Sequence, residues 1–316
     1  MDFRTVCVIL PCYNEEVSLK YTINQIRKIS KRIEILVIDN ASTDQTSQIA
    51  KKLGTKVVSE SRKGKGYAVR KGFNSIGRIV EIVVLVDADD TYDLSDLKTA
   101  ILLVSEKGYD MVVGTRVKKG VYLYGRGTAF RQGHKIGNYL LSKLNNILHP
   151  SEIKDSLSGY RIFSRNFIES FTGSASGFEI EAEINAHASF MDIPIANFDV
   201  AYQGRREGSV SKLSTYKDGF KILIMNFKIF RTYRPKLVFS ILALIWLCIS
   251  FYLLSDPIRT YLELALVPRF PSLIAGVGAF IIAIQLWNTG MVLDRIKVAH
   301  LNQCKIAYNR RNHASS

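Results

Sequence analysis

A chain of 316 residues can bury a substantial core, and this one carries 43 Lys+Arg against 28 Asp+Glu, a formal charge of +15. Its four cysteines lack metal or disulfide spacing and its five histidines are scattered, which argues for reduced thiols and against a zinc site. The positive excess suits attraction to an anionic membrane leaflet. Nucleic acid is not expected as a partner, because no recognition motif or aromatic-interleaved basic patch accompanies the charge.

In chain order, residues 6–10 (VCVIL) form a short apolar run before Pro11. Because Arg4 interrupts residues 1–11, no signal peptide is expected. Apolar residues at Val17, Leu19, Ile23, Ile26 and Ile29 predict a helix over 17–29, followed by a strand at 33–38 and a helix at 46–53. A strand at 55–59, a helix at 67–76, a strand at 82–86, a helix at 93–105 and a strand at 111–113 complete the series. Continuous β-branched strands alternating with helices predict a mostly parallel sheet covered on both faces. Ligands of such sheets sit beyond the carboxyl ends of the strands. Those ends here read PCYNEE, DNASTD and DADDTYD, three polar sequences that sheet formation does not require.

Residues 237–254 and 273–293 carry no charge, and each is near the ~20 residues that cross a hydrocarbon core as helix. Residues 255–272, with Pro257, Pro268 and Pro271, are expected to form the loop of a transmembrane hairpin. Lys228, Arg231, Arg234 and Lys236 precede the first span, and Arg295, Lys297, Lys305, Arg310 and Arg311 follow the second. The loop holds only Arg259 and Arg269 against Asp256 and Glu263, so both termini are expected in the cytoplasm, with the protein in the cell membrane. Between 216 and 234, Phe220, Leu223, Phe227 and Phe230 fall on one helical side with Lys and Arg elsewhere, the pattern of an interfacial helix.

The densest chemistry lies at 87–93, where four carboxylates follow an apolar strand. Two carboxylates at i and i+2 on a turn can converge on one hard cation, Mg²⁺ or Mn²⁺, leaving coordination positions open to a diphosphate. Capping by Thr91 or Asp93 of a helix starting near Leu94 accounts for one or two of the acids, not all four. Arg62-Lys63-Gly64-Lys65-Gly66 is cationic and glycine-rich before a helix, and reads equally as a phosphate-approaching loop or a solvated turn. Glu179, Glu181 and Glu183 fall on a helix whose Ile180 and Ile184 mark the buried face, which favours exposed glutamates over catalytic ones.

Taken together, Pro11 to Glu16, Asp39 to Thr46 and Asp87-Ala88-Asp89 resemble the family 2 glycosyltransferases of the GT-A fold. Gly114-Thr115-Arg116, Ser158 to Arg165 and the REGSVSK stretch from Arg206 to Lys212 resemble the branch that acts on polyprenyl phosphates. The resemblance covers about residues 5–235 and implies an α/β, Rossmann-like GT-A catalytic domain over 1–213. An interfacial segment over 214–236, the transmembrane hairpin over 237–293 and a basic cytoplasmic tail over 294–316 would follow.

By the same resemblance, Pro11, Tyr13 and Glu15 line the nucleotide pocket, and Asp39 and Asn40 occupy the places of paired acids that contact base and ribose. The amide at Asn40 leaves the base open. Asp87, with Ala88, would help bind donor sugar and metal, Asp89 would be the principal ligand of Mg²⁺ or Mn²⁺, and Thr91 stands where relatives often carry Gln. Arg116, Arg206 and Lys212 match residues that bind the donor diphosphate or the lipid phosphate, with Arg126 and Arg131 as further candidates for the acceptor phosphate. The implied reaction is inverting transfer from a nucleotide sugar, UDP preferred over GDP, to polyprenyl phosphate, as in the assembly of cell-envelope glycans.

A processive polysaccharide synthase stays as an alternative, though its Q-x-x-R-W signature is missing and Trp246 and Trp287 lie inside the spans. A catalytically idle, membrane-tethered nucleotide-sugar binder is the other alternative. Sugar identity and assembly into a homo-oligomer stay open.

Overall fold

The computed structural model describes residues 3–118, 121–122, 153–203, 224, 227–228, 230–267 and 269–309. The chain divides into two compact units, Met1–Asn226 with Cys304–Ser316, and Phe227–Gln303. The expected interfacial helix over 214–236, and Arg126, Arg131, Arg206 and Lys212, fall largely or wholly outside the described residues.

In the first unit, apolar runs form β1 (Val6–Cys12), β2 (Glu34–Asp39), β3 (Lys56–Ser59) and β4 (Ile82–Leu85), parallel in the order β3-β2-β1-β4. Parallel neighbours need crossovers, supplied by α1 (Leu19–Ile29), α2 (Thr46–Lys52) and α3 (Lys65–Ser75), while α4 (Leu97–Ser105) follows β4. Val8, Leu10, Val37 and Val84 pack with Leu19, Ile23, Ile26, Leu97 and Ile101 in one dry cluster. Burial pushes the Cys7 thiol up to about 12, consistent with an inert core thiol. Cys12 lies beside Asp39 and Asp39 beside Ser59. The chain thus leaves three strands level, at the edge where β4 also ends and Val86 donates to the Ile9 carbonyl.

Beyond β4 the sheet is no longer parallel. It continues through β5 (Met111–Lys118), the short β6 (Val121–Tyr122), β7 (Arg161–Ser164) and β8 (Ile195–Ala201). β7 lies between β4 and β5, antiparallel to both, and β8 runs parallel to β5. The sequence reading treats 158–165 as a motif and not as a strand, because Arg161 and Ser164 break its apolar run. Ile162 and Phe163 are nonetheless fully buried. α5 (Arg165–Ser170) starts where Ser164 Oγ accepts the Phe167 N–H at 3.1 Å, and α6 (Ile180–Phe190) precedes β8.

Arg161 is itself wholly buried and ties this half together. Its guanidinium donates to the carbonyls of Ser158 (2.9 Å) and Ser156 (3.0 Å) and to Asn185 Oδ1 (2.6 Å) on α6. Burial pulls it down to about 10, so it remains charged at neutral pH.

The helix predicted from residue 93 begins at Leu97. Asp90 takes a left-handed φ of 58°, and Asp93 Oδ1 accepts the Ser95 N–H at 2.9 Å, so the chain turns before it coils. Neither Thr91 nor Asp93 caps the helix.

The second unit is built from α7 (Pro235–Leu264) and from α8 (Phe270–Asn309) as far as Gln303. Both are long and apolar enough to cross a membrane, and only 11% and 17% of their most apolar stretches are buried, which disfavours ordinary core helices. The expected loop over 255–272 shrinks to the residues between Leu264 and Phe270, because α7 continues through Pro257. Beyond the proline, Arg259 pairs with Glu263 at 2.9 Å one turn on. Ser250 Oγ donates to the Gly276 carbonyl and Ser272 Oγ to the Leu253 carbonyl, both at 2.8 Å. A Cβ on Gly276 would meet the Leu254 side chain at 2.6 Å, so this glycine permits close helix approach. The expected tail from 294 is helical to Asn309; its last turn belongs to the first unit, where Tyr308 donates to Asp110.

Arg161→Met should lower the stability of the first unit by about 2–4 kcal/mol, since it strands two buried acceptors, the Ser158 carbonyl and Asn185 Oδ1. Thermal unfolding of the full chain in detergent measures this; an unchanged midpoint would contradict the role given to Arg161.

Candidate active site

The loops leaving β1 and β2 are laced to each other. Asn14, in a left-handed conformation, accepts the Thr43 N–H at 2.7 Å and donates from its own backbone to Ser42 Oγ at 3.1 Å. Glu15 N–H donates to Thr46 Oγ1 at 2.8 Å, and Glu16 Oε2 accepts the Gln45 N–H at 2.9 Å. Asp39 Oδ1 accepts the Ser42 N–H at 3.1 Å. The buried Glu15 carboxylate takes the Ser18 hydroxyl at 2.8 Å, a bond within the loop at the start of α1. These bonds fix the PCYNEE and DNASTD segments as one polar rim, with Tyr13 partly exposed upon it.

Asn40 is 4% exposed, and its amide is engaged on every side by the segment after β3. Its Nδ2 donates to the carbonyls of Glu60 (3.2 Å) and Arg62 (2.6 Å), and its Oδ1 accepts the Gly64 N–H at 2.7 Å. The same segment is held by Arg62, which donates to both Glu60 carboxylate oxygens at 2.9 Å. Those hydrogen bonds hold Glu60 far below the usual carboxylate range, at about 2.

After β4 the four acids divide. Asp90 Oδ1 accepts from Gln25 Nε2 at 2.7 Å, and Gln25 Oε1 accepts the Leu94 N–H at 3.0 Å, so this acid shapes the turn. Asp93 serves the next turn. Asp89, 5% exposed, accepts the Thr91 hydroxyl at 2.6 Å on Oδ1. Asp87 is the most open of the pair, with 28% of its side chain accessible, and Gly159 lies against it: a Cβ there would meet Asp87 Oδ2 at 2.2 Å.

Lys65 supplies the contact that the sequence leaves undecided. Its ammonium sits 2.6 Å from Asp87 Oδ1 and 2.7 Å from Glu181 Oε1. Burial alone would lower the Lys65 ammonium, but the two carboxylates reverse this and hold it well above its ordinary range. Gly64 and Gly66 make the approach feasible, because a Cβ on either would meet the carbonyl of Ser176 or Ala175 at 2.2 or 2.3 Å.

Glu181 is buried rather than exposed, which corrects the expectation for this helix. α6 is buried on nearly all sides, and the signal was its alanines, Ala182, Ala186 and Ala188, spaced around the helix between the polar residues. Glu181 Oε2 has no hydrogen-bond partner among the described residues. Glu179 and Glu183 serve the preceding loop, accepting from Gly177 N–H at 3.0 Å and Ala175 N–H at 2.7 Å.

Arg116 grips Asp155 in a two-point pair, at 2.6 and 2.8 Å. Burial opposes its charge and Asp155 supports it, with a net upward shift. Asp155, 1% exposed, has no counterpart in the sequence reading. Tyr92 Oη accepts the Gly159 N–H at 3.0 Å, and burial pushes its phenol up.

Oxygen-rich and without sulfur or imidazole, Asp87 and Asp89 suit a hard divalent cation that also takes ligands from a diphosphate. No group of three or more His, Cys, Asp or Glu suited to a metal occurs among the described residues. The two carboxylates would therefore act with substrate oxygens, not as a closed cage.

The mixed sheet is of the GT-A class, the fold of the solved structures that it resembles. Residues 7–171, more than half of the chain, match the family described as Glycosyl transferase family 2. The chain is 31% identical to glycosyltransferase AglJ of Haloferax volcanii over 235 residues, 74% of this chain and 75% of that protein. It is 27% identical to a dolichyl-phosphate hexose transferase of the same organism over 221 residues, 70% of this chain and 91% of that one. Its fold is similar to glucosyl-3-phosphoglycerate synthase of Mycobacterium tuberculosis, solved with Mn²⁺, UDP-glucose and phosphoglyceric acid. The TM-score is 0.55 and the identity 22%, over 72% of this chain and 79% of that one. The chain belongs to glycosyl transferase family 2 and is a glycosyltransferase acting on nucleotide sugars.

Lys65→Met should destabilise the catalytic unit by about 3–5 kcal/mol, because it leaves Glu181 buried and unpaired. Lys65→Met with Glu181→Gln should recover a large part of that loss. Chemical unfolding of both variants decides it: equal losses in the single and double variants would mean that the pair is not coupled.

Proposed function

We propose that this protein moves a hexose from a nucleotide sugar, UDP-linked in preference to GDP-linked, to polyprenyl phosphate at the cytoplasmic face of the cell membrane. The observation that carries the proposal is one chain holding both a strand-end acidic site and two exposed apolar helices long enough to cross a bilayer. A relative named as a dolichyl-phosphate hexose transferase supports the acceptor class. A neighbour of the same fold, solved with Mn²⁺ and UDP-glucose, supports donor and metal. The Lys and Arg residues flanking the apolar segments support a cytoplasmic catalytic unit and cytoplasmic termini.

Asp89 and Asp87 would hold Mg²⁺ or Mn²⁺, which when bound offsets charge growing on the departing diphosphate. Pro11, Tyr13 and Asp39 are proposed to receive nucleotide and sugar, with Glu15 buried in the same loop and Ala88 buried in the turn after β4. Lys65 steadies Asp87 and brings positive charge to the same place. The acceptor phosphate is already an anion, so no side chain has to remove a proton from it. A phosphate oxygen attacks the anomeric carbon from the face opposite the nucleotide. The bond to the diphosphate breaks with its electron pair leaving on the diphosphate oxygen, and the configuration inverts. Arg206, Lys212, Arg126 and Arg131 are proposed to neutralise donor or acceptor phosphates. Arg116 joins them with the guanidinium donors that Asp155 does not use.

Purified full-length protein should transfer labelled sugar from a UDP-hexose to a short polyprenyl phosphate with Mg²⁺ or Mn²⁺ present, and lose that activity in EDTA. Asp89→Ala should reduce kcat/KM by about 10³-fold or more while leaving the unfolding midpoint near that of the parent. A near-parental rate in Asp89→Ala, or transfer indifferent to EDTA, would overturn the metal assignment.

A further inference from the structure

Asn40 stands where the family pattern suggests a nucleotide contact, yet its side chain is spent on its own chain. Nδ2 reaches the carbonyls of Glu60 and Arg62, and Oδ1 receives the Gly64 N–H. Two acceptors and one donor face it, a set that an amide satisfies and a carboxylate does not, because a carboxylate has nothing to donate. The residue is buried, which raises the cost of leaving either carbonyl unmet.

The segment it holds is gripped from the other side as well. Tyr67 N–H donates to the Ser176 carbonyl at 3.3 Å, Arg70 Nη1 to the Gly173 carbonyl at 3.3 Å, and the α-carbons of Gly64 and Gly66 press on the backbone at 175–176. Between these grips the chain enters α3 at Lys65, whose ammonium spans Asp87 and Glu181. Lys65 follows Gly64 directly, so the backbone that Asn40 holds is the base from which the lysine side chain reaches both carboxylates.

We infer that Asn40 is a positioning residue that sets the 60–64 segment so that Lys65 reaches Asp87, and that it does not read the nucleotide base. This inference rests on the nucleotide-sugar reading only for its effect on binding; its effect on the backbone stands apart. Base preference then falls to other groups of the rim, Asp39 and Tyr13 among them.

Two measurements on full-length Asn40→Asp and Asn40→Ala decide it. Asp keeps the acceptor for Gly64 but adds charge, whereas Ala adds none, so a shared effect reports the lost donors. Hydrogen–deuterium exchange over 60–67 should speed up at least about tenfold in both variants, with exchange in β1 and β4 unchanged. Affinities for UDP, CDP, GDP and ADP, titrated with Mn²⁺, should all fall by a similar factor, about tenfold, without a change in their order. Parental exchange over 60–67 would overturn the inference, as would a reordered base preference or a loss confined to one nucleotide. If exchange rises as expected while the parent protein binds none of the four nucleotides, the positioning of the segment stands and the nucleotide-sugar reading falls.

Discussion

The ammonium of Lys65, set between Asp87 and Glu181, joins three elements that are far apart in the chain: the start of α3, the turn after β4 and the first turn of α6. A buried ammonium requires carboxylate partners, because leaving a charge there unpaired is costly. Lys65 has to meet both carboxylates at once, which fixes where Asp87 stands at the strand edge. The surroundings follow from that requirement. Gly159 lets the backbone lie against Asp87, Gly64 and Gly66 let the lysine segment lie against 175–176, and Asn40 and Glu60 fix that segment from the sheet side.

The same half of the molecule contains a second buried cation, Arg161, held by neutral oxygens from 156–158 and α6. Asp155 faces Arg116 one step away. The buried cations of this half are thus each met by oxygen, neutral at Arg161 and charged at Arg116. The acids concentrate where a cation and an anionic substrate would meet. Much of the remaining positive charge flanks the apolar helices, where anionic lipid would meet it.

Much of this was legible in the sequence. β-branched runs located β1 to β4, and the polar residues after them located the edge where the site lies, because a buried parallel strand has no reason to end in PCYNEE or DADDTYD. The apolar stretches located α7 and α8. What escaped depended on partners distant in sequence. β7 is a short run with an arginine and a serine at its ends, and only the pairing with β4 and β5 makes it a strand. Glu181 looked exposed because helical periodicity records only apolar spacing, whereas a buried glutamate is permitted by a lysine more than a hundred positions earlier. Asn40 looked like an altered ligand, and its geometry instead matches the two carbonyls and one N–H of the next loop. The helix predicted from residue 93 started late for a local reason, the left-handed Asp90.

The account as a whole depends on the strand-end acids receiving a divalent cation together with a nucleoside diphosphate. Crystals of the full-length protein grown with Mn²⁺ and UDP, measured at the manganese absorption edge, would test that most directly. The account predicts an anomalous peak in contact with Asp89 and Asp87 and with the diphosphate oxygens, the uridine lying on the rim formed by Tyr13 and Asp39. A nucleotide bound elsewhere, or manganese held without either aspartate, would contradict it.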